Sequence, residues 1–238
     1  MIEQLTVVYS VTSGHWAKMA AASAWSLARQ CTPACVRIEY QPPRRGRMAT
    51  HIRRYNALQR VDTAWALLLD ADTCFLSSLE GLRFDKPMAT RQCPRQAWHS
   101  AWKQDVYEKL FELAQLRPVR MAQGSALLIR TDVARALVPE IMRWQTWAEK
   151  KQTDHALRPW RRPRDQYGLA LARSEMGIYD EEVDWWDASI LSLAPEELPS
   201  GIIHHLGDKR HQKLLRPGGA KLPDYIHVIE QSKAGKRT

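Results

Sequence analysis

The chain has 238 residues, 45% of them hydrophobic and 26% charged, which suits one α/β domain, or one domain with a subdomain, around a full core. A net charge of +9 favours anionic partners (nucleotides, phosphorylated substrates, nucleic acid) without choosing among them. The four cysteines form no CxxC pair, no stretch reads as a signal peptide and no apolar run reaches a membrane-spanning length, so the expectation is a cytoplasmic chain with reduced thiols and no membrane span.

In chain order, Leu5–Val11 is β-branched and apolar and predicts a first buried strand. Thr12, Ser13 and Gly14 form a polar turn that offers a helix N-cap. Trp16, Met19, Ala20, Ser23 and Leu27 then recur at helical spacing to about Gln30. Pro33 ends that helix and Val36–Tyr40 reads as a second strand, parallel to the first by the right-handed crossover rule. Gln41–Arg47 is a basic loop, and Met48–Arg60 predicts a helix carrying Arg53 and Arg54. These arginines suit a nucleotide phosphate or base, or they simply face water.

The stretch Trp65-Ala-Leu-Leu-Leu-Asp70-Ala-Asp72-Thr73 organises the rest. Its apolar run predicts a strand buried on both faces of a parallel sheet. Ligands bind at the carboxyl ends of such strands, where the flanking loops diverge. Two carboxylates one residue apart at that end are costly unless a cation shares them, and hard oxygen ligands suit Mg2+ or Mn2+. The alternative is that Asp72 caps a turn and Asp70 is a solvated acid.

Further along, Leu76–Leu82 reads as a turn or short helix and Pro87–Thr90 as a short strand. Arg91–Ser100 is irregular, and Trp102 to about Leu116 is helical. Met121–Ile129 predicts a strand whose Gly124 lets the backbone bulge or approach something closely. A helix follows from Thr131 or Asp132 to about Ala148, with Pro139 inside it. Lys150–Arg164 reads as a basic loop. A helix opens at Asp165-Gln166, with Asp165 an N-cap or a site residue, and runs to Gly177. Short strands are expected around Val183 and Ile190 and over Gly201–His204. From Gly207 the chain is basic and poor in apolar residues, with 231–238 frayed. The ten tryptophans leave some for a cleft, and Arg91–Ser100, Lys150–Arg164 and Trp185-Trp186 are candidate acceptor contacts.

These pieces, in this order, resemble a nucleotide-diphospho-sugar glycosyltransferase of the GT-A fold, nearest in pattern to the glycogenin-like family 8 enzymes. The opening strand, turn and helix match. Asp70-Ala-Asp72 looks like the DXD motif, and Gln123–Arg130 resembles the family's small-residue strand leading into a helix. Asp165-Gln166 resembles its DQ pair. His204-His205-Leu206-Gly207-Asp208-Lys209-Arg210 matches H-x-x-G-x-x-K with Arg210 in the lysine place, and His211-Gln212 stands where the family has Pro-Trp.

The resemblance implies a single GT-A-like α/β domain over residues 1–210, with a mixed, mostly parallel sheet flanked by helices, and a basic extension over 211–238. It implies a metal-dependent, retaining hexosyltransferase that moves a sugar from a nucleotide-sugar donor, a UDP-sugar being favoured, to a glycan, protein or small-molecule acceptor. Asp70, Asp72 and His204 would hold Mn2+ or Mg2+. Ser10, Thr12, Arg53, Asp70, Gly124, Ser125, Gly207 and Arg210, with Lys209 beside it, would contact the donor. Asp165 and Gln166 would lie at the transferred sugar or the acceptor. The rivals are a haloacid-dehalogenase-like phosphatase using Leu-Leu-Leu-Asp70-Ala-Asp72-Thr, and a non-catalytic basic protein binding nucleotide or nucleic acid.

Overall fold

The elements follow one another as β1 (Leu5–Val11), α1 (Gly14–Ala28), β2 (Cys35–Tyr40), a 3-10 segment (Arg54–Arg60), β3 (Trp65–Leu69), β4 (Thr73–Phe75), β5 (Met88–Gln92), α2 (Gln104–Ala114), β6 (Ala122–Arg130), α3 (Thr131–Asp154), α4 (Asp165–Glu175), β7 (Val183–Trp186), β8 (Leu191–Ser192), β9 (Ile203–His205) and β10 (Ile226–Glu230). This computed structural model describes residues 2–33, 35–40, 53–93, 104–154, 165–193, 202–205 and 226–230, with backbone alone at 105, 152–154, 165, 204, 205 and 226–230. Among the described residues, no helix is long and apolar enough to cross a membrane.

The strands β10-β2-β1-β3-β6-β5-β7 form one seven-stranded sheet, and β4-β9-β8 form a three-stranded one. β1 pairs in parallel with both β2 and β3, as the crossover rule requires. β6 runs antiparallel between β3 and β5, and β7 is parallel to β5. The sheet is therefore mixed and mostly parallel. Reversal of β6 has a positional effect: Leu69 at the carboxyl end of β3 pairs with Ala126, so the amino-terminal part of β6 lies at the same pole.

Burial explains why the central strands read so clearly. All five residues of β3 are buried, with Ala66 and Leu68 in one hydrophobic cluster and Trp65, Leu67 and Leu69 in the other. β1 likewise sends Val8 to the first face and Leu5, Val7, Tyr9 and Val11 to the second. Each such fully buried aliphatic side chain contributes about 1.5–3 kcal/mol. Ser13 caps α1, its hydroxyl accepting from Trp16 N at 3.4 Å.

Three elements depart from expectation. β4 is only three residues long and owes its pairing to β9, a partner more than a hundred residues away, so no local period announces it. α3 continues to Asp154 where a loop was expected from Lys150; its last turn is polar, and a solvated helix end carries no apolar period. Ile226–Glu230, inside the segment read as a basic extension, is β10 and pairs in parallel with β2. The last strand of the sheet is therefore β10, not the one at Gly201–His204. Pro139 lies inside α3 without ending it.

Candidate active site at the carboxyl end of the sheet

Asp70 follows the last residue of β3, and both of its backbone groups are held. Its N–H donates to Ser125 O on β6 at 2.9 Å, and its carbonyl accepts from Thr73 Oγ1 at 2.9 Å, closing the turn that contains Asp72. The side chain is one-third exposed, and its Oδ1 accepts from Arg54 Nη1 at 2.6 Å. The other arm of the same guanidinium donates to Gly124 O, and the plane lies 5.0 Å from the centre of the Tyr55 ring. Arg54 thus ties the acid turn to β6. It is the planar fork that permits two acceptors at once.

Gly124 is where the chain comes closest to itself here. A Cβ at that position would stand 2.5 Å from Gln166 Nε2 and 3.1 Å from Arg54 Nη2. The close backbone approach expected of this strand glycine is therefore real, and the approaching groups are the two side chains that frame the crevice. Ser125 is 1% exposed, and its Oγ has no hydrogen-bond partner among the described residues; the same holds for Gln166 Oε1. Buried polar atoms are nearly always paired, so these two oxygens, one on β6 and one on α4, have hydrogen-bonding capacity left for a polar ligand.

Register brings the remaining pieces to this pole. Tyr9 pairs with Leu69, so Ser10 and Thr12, both half-buried, leave β1 beside the acid turn. Cys74, two residues beyond Asp72, pairs with His204 on β9. At the level of the backbone His204 is thus one strand spacing from Cys74, just past the end of the acid turn, rather than across the molecule. Asp165 is the first residue of α4, directly before Gln166. Of the predicted set, Asp70, Gly124, Ser125 and Gln166 meet directly, with Ser10, Thr12, Asp72 and the backbone of His204 around them. Gly207, Lys209 and Arg210 lie outside the described residues, as do Gln41–Arg47 and most of Arg91–Ser100 and Lys150–Arg164.

Of the two neighbouring arginines, Arg54 contacts the acid turn through Asp70; Arg53, the expected donor contact, is the residue before the 3-10 segment and is half-buried. Trp186 is 6% exposed within the second core cluster, and Trp185 donates to Asp180 O at 3.1 Å with Arg173 5.3 Å from its ring centre. Trp186 is thus a core anchor, while Trp185, held by its indole N–H, is half-buried. The Cys74 thiol, pushed up to about 11 by burial, is an inert core group.

The donor set suits a hard divalent cation: two carboxylates separated by one residue, with an imidazole-bearing position across a strand pair. Among the described side chains no cluster of three acidic, histidine or cysteine ligands occurs, the third candidate, His204, being described by its backbone.

No family model matches the chain, and no curated protein matches it. Solved structures do. The galactosyltransferase LgtC, in complex with donor and acceptor sugar analogues, superposes with a TM-score of 0.56 at 13% identity, covering 88% of this chain and 95% of that one. A glycosyltransferase involved in glycosylation of the major capsid of PBCV-1 gives 0.59 at 13%, over 89% and 98%. An active-site mutant of LgtC, a glutamine-to-glutamate exchange, gives 0.57 at 12%, over 84% and 86%. At these identities the likeness is one of fold. The chain has the GT-A glycosyltransferase fold over nearly its whole length, as the ordered motifs implied.

Proposed function

We propose that this protein is a glycosyltransferase that uses a divalent cation to bind a nucleotide-diphosphate-sugar and transfers the sugar to an acceptor. The observation that carries the reading is the convergence of Asp70, Arg54, Gly124 and Gln166, with two unpartnered buried oxygens, at the carboxyl end of a GT-A sheet. The activities of the similar structures, galactosyl transfer and capsid glycosylation, support the class of reaction.

Asp70, Asp72 and His204 would hold Mn2+ or Mg2+. A cation bound there supplies positive charge to the leaving diphosphate. The chain's own groups do the rest. Ser10 and Thr12 receive the nucleoside where β1 ends, next to the acid turn. The missing Cβ at Gly124 lets the ends of Gln166 and Arg54 close against the β6 backbone, which sets the Gln166 amide where the sugar would be bound. Gln166 and Ser125 then find in sugar hydroxyls the partners their oxygens lack, and a site built to hydrogen-bond a hydroxyl rejects a deoxy analogue strongly. Arg54 holds the Asp70 carboxylate in place while it is bound to Gly124 O, so little reorganisation would accompany donor binding. Asp165 and Gln166 would serve the transferred sugar or the acceptor. Gly207 and Arg210, with Lys209, would serve the phosphates, the guanidinium of Arg210 standing in for an ammonium. A UDP-sugar is the donor favoured, and retention of the anomeric configuration is part of the same reading.

Calorimetry with a panel of nucleotide-sugars, with and without Mn2+, tests it. One donor should bind only when the metal is present, and Asp72→Ala should abolish that metal-dependent binding. Binding unchanged in Asp72→Ala would remove the assignment.

A further inference from the structure

The acid turn is held from inside the protein by a line of hydroxyls. Tyr9 OH lies 2.8 Å from Ser23 Oγ, Ser23 Oγ lies 3.2 Å from Thr73 Oγ1, and Thr73 Oγ1 donates to the Asp70 carbonyl at 2.9 Å. Tyr9 on β1, Ser23 on α1 and Thr73 on β4 are each no more than 2% exposed, so the line is shielded from bulk solvent. Proton counting fixes the direction. A carbonyl only accepts, so the single Thr73 proton points at Asp70 O, and Thr73 Oγ1 is left to accept from Ser23. Ser23 has then used its own proton and accepts from Tyr9. The line runs one way, Tyr9 to Ser23 to Thr73 to Asp70, each donor polarising the next.

A second contact secures the same strand to the same helix. Ser26, three residues from Ser23 and on the same face of α1, donates to Ser23 O at 2.6 Å and accepts from Phe75 N at 3.0 Å. β4 is the strand that pairs Cys74 with His204. One end of the hydroxyl line therefore bears on the turn of Asp70 and Asp72, and on the strand that brings the histidine alongside.

We propose that Tyr9 and Ser23 are positioning residues: acting through Thr73, they set the backbone of the acid turn and so tune its grip on a divalent cation. The proposal rests on the metal-binding reading above and goes beyond it, since neither residue touches the site. A hydrogen-bonded line, unlike three separate contacts, is broken once wherever it is cut, so its members act non-additively.

The test measures Mn2+ affinity of the metal-free protein by titration with Mn2+ alone, together with amide hydrogen exchange over residues 70–75. Ser23→Ala should weaken Mn2+ binding about tenfold, the equivalent of about 1.4 kcal/mol, and should speed exchange in the turn without speeding it in β6. Tyr9→Phe should do the same to a smaller extent, the double variant should be no worse than Ser23→Ala alone, and Thr73→Ser should retain wild-type affinity where Thr73→Val loses it. Unchanged exchange over 70–75 in Ser23→Ala overturns the proposal, as do additive losses in the double variant. A wild-type protein that does not bind Mn2+ overturns the metal-binding reading instead, and the exchange measurement still decides whether the hydroxyl line governs the turn.

Discussion

Two glycines, Gly124 and Gly168, are each too close to a neighbour to accept a side chain, and what they meet differs in kind. At Gly168, in the first turn of α4, a Cβ would stand 2.7 Å from the Ile141 carbonyl and 2.8 Å from Gln145 Cβ. Both groups belong to α3 and neither can swing away. The glycine's N–H, one of the donors a helix start leaves without an intrahelical partner, donates to Gln145 Oε1 at 3.1 Å. At Gly124 the obstacles are the far ends of Gln166 and Arg54, which can rotate. The first glycine lets two helices touch, and the second lets two polar side-chain ends close over the sheet's tip. Close packing alone does not separate structure from function; the mobility of the obstructing atom does.

Gly168→Ala should give the largest effect, a loss of about 1–3 kcal/mol of stability from overpacking against backbone, read from urea denaturation, with donor affinity unchanged in the folded fraction. Gly124→Ala should reverse that pattern. Its cost in stability should stay under about 1 kcal/mol, because Gln166 and Arg54 swing aside, while donor binding falls about tenfold by calorimetry. Equal destabilisation by the two substitutions would break the distinction.

The smallest effect sharpens the helix-joint side and concerns pH. Burial tends to raise the Glu175 carboxyl, but the Trp144 indole N–H at 2.7 Å and the Arg143 guanidinium outweigh it and hold the group below its ordinary value. A carboxylate lowered in the folded state contributes stability above its unfolded pKa and loses it as pH falls through the folded one. The side chain is more than a third exposed, so the contribution is small after screening. Glu175→Gln should therefore flatten the acid limb of stability below about pH 4.5 and leave the neutral plateau nearly unmoved. An acid limb as steep as that of the wild type would assign this slope to other carboxylates.

Legibility followed how local each determinant is. β1 and β3 were readable to the residue because both of their faces are buried and the composition says so. The acid turn was readable because Asp70 and Asp72 interrupt an apolar run. Gly124 was visible as a strand glycine, but its reason, the ends of Gln166 and Arg54, lies on two other elements. That Arg54 contacts Asp70 depends on the rotation of a short 3-10 segment, which no apolar period fixes. The hydroxyl line was invisible for a different cause: Tyr9, Ser23 and Thr73 are unremarkable residues separated by 14 and 50 positions, and only folding makes them one object.

The placement of β10 carries a consequence for how this molecule behaves in a crowd. Without Ile226–Glu230, β2 would present an open row of amide and carbonyl groups along its outer margin. Such a margin is a template on which foreign strands grow. The late segment of the chain thereby shields the early one, and a polypeptide clipped ahead of residue 226 would leave the outer margin of β2 open and tend toward fibrous self-association.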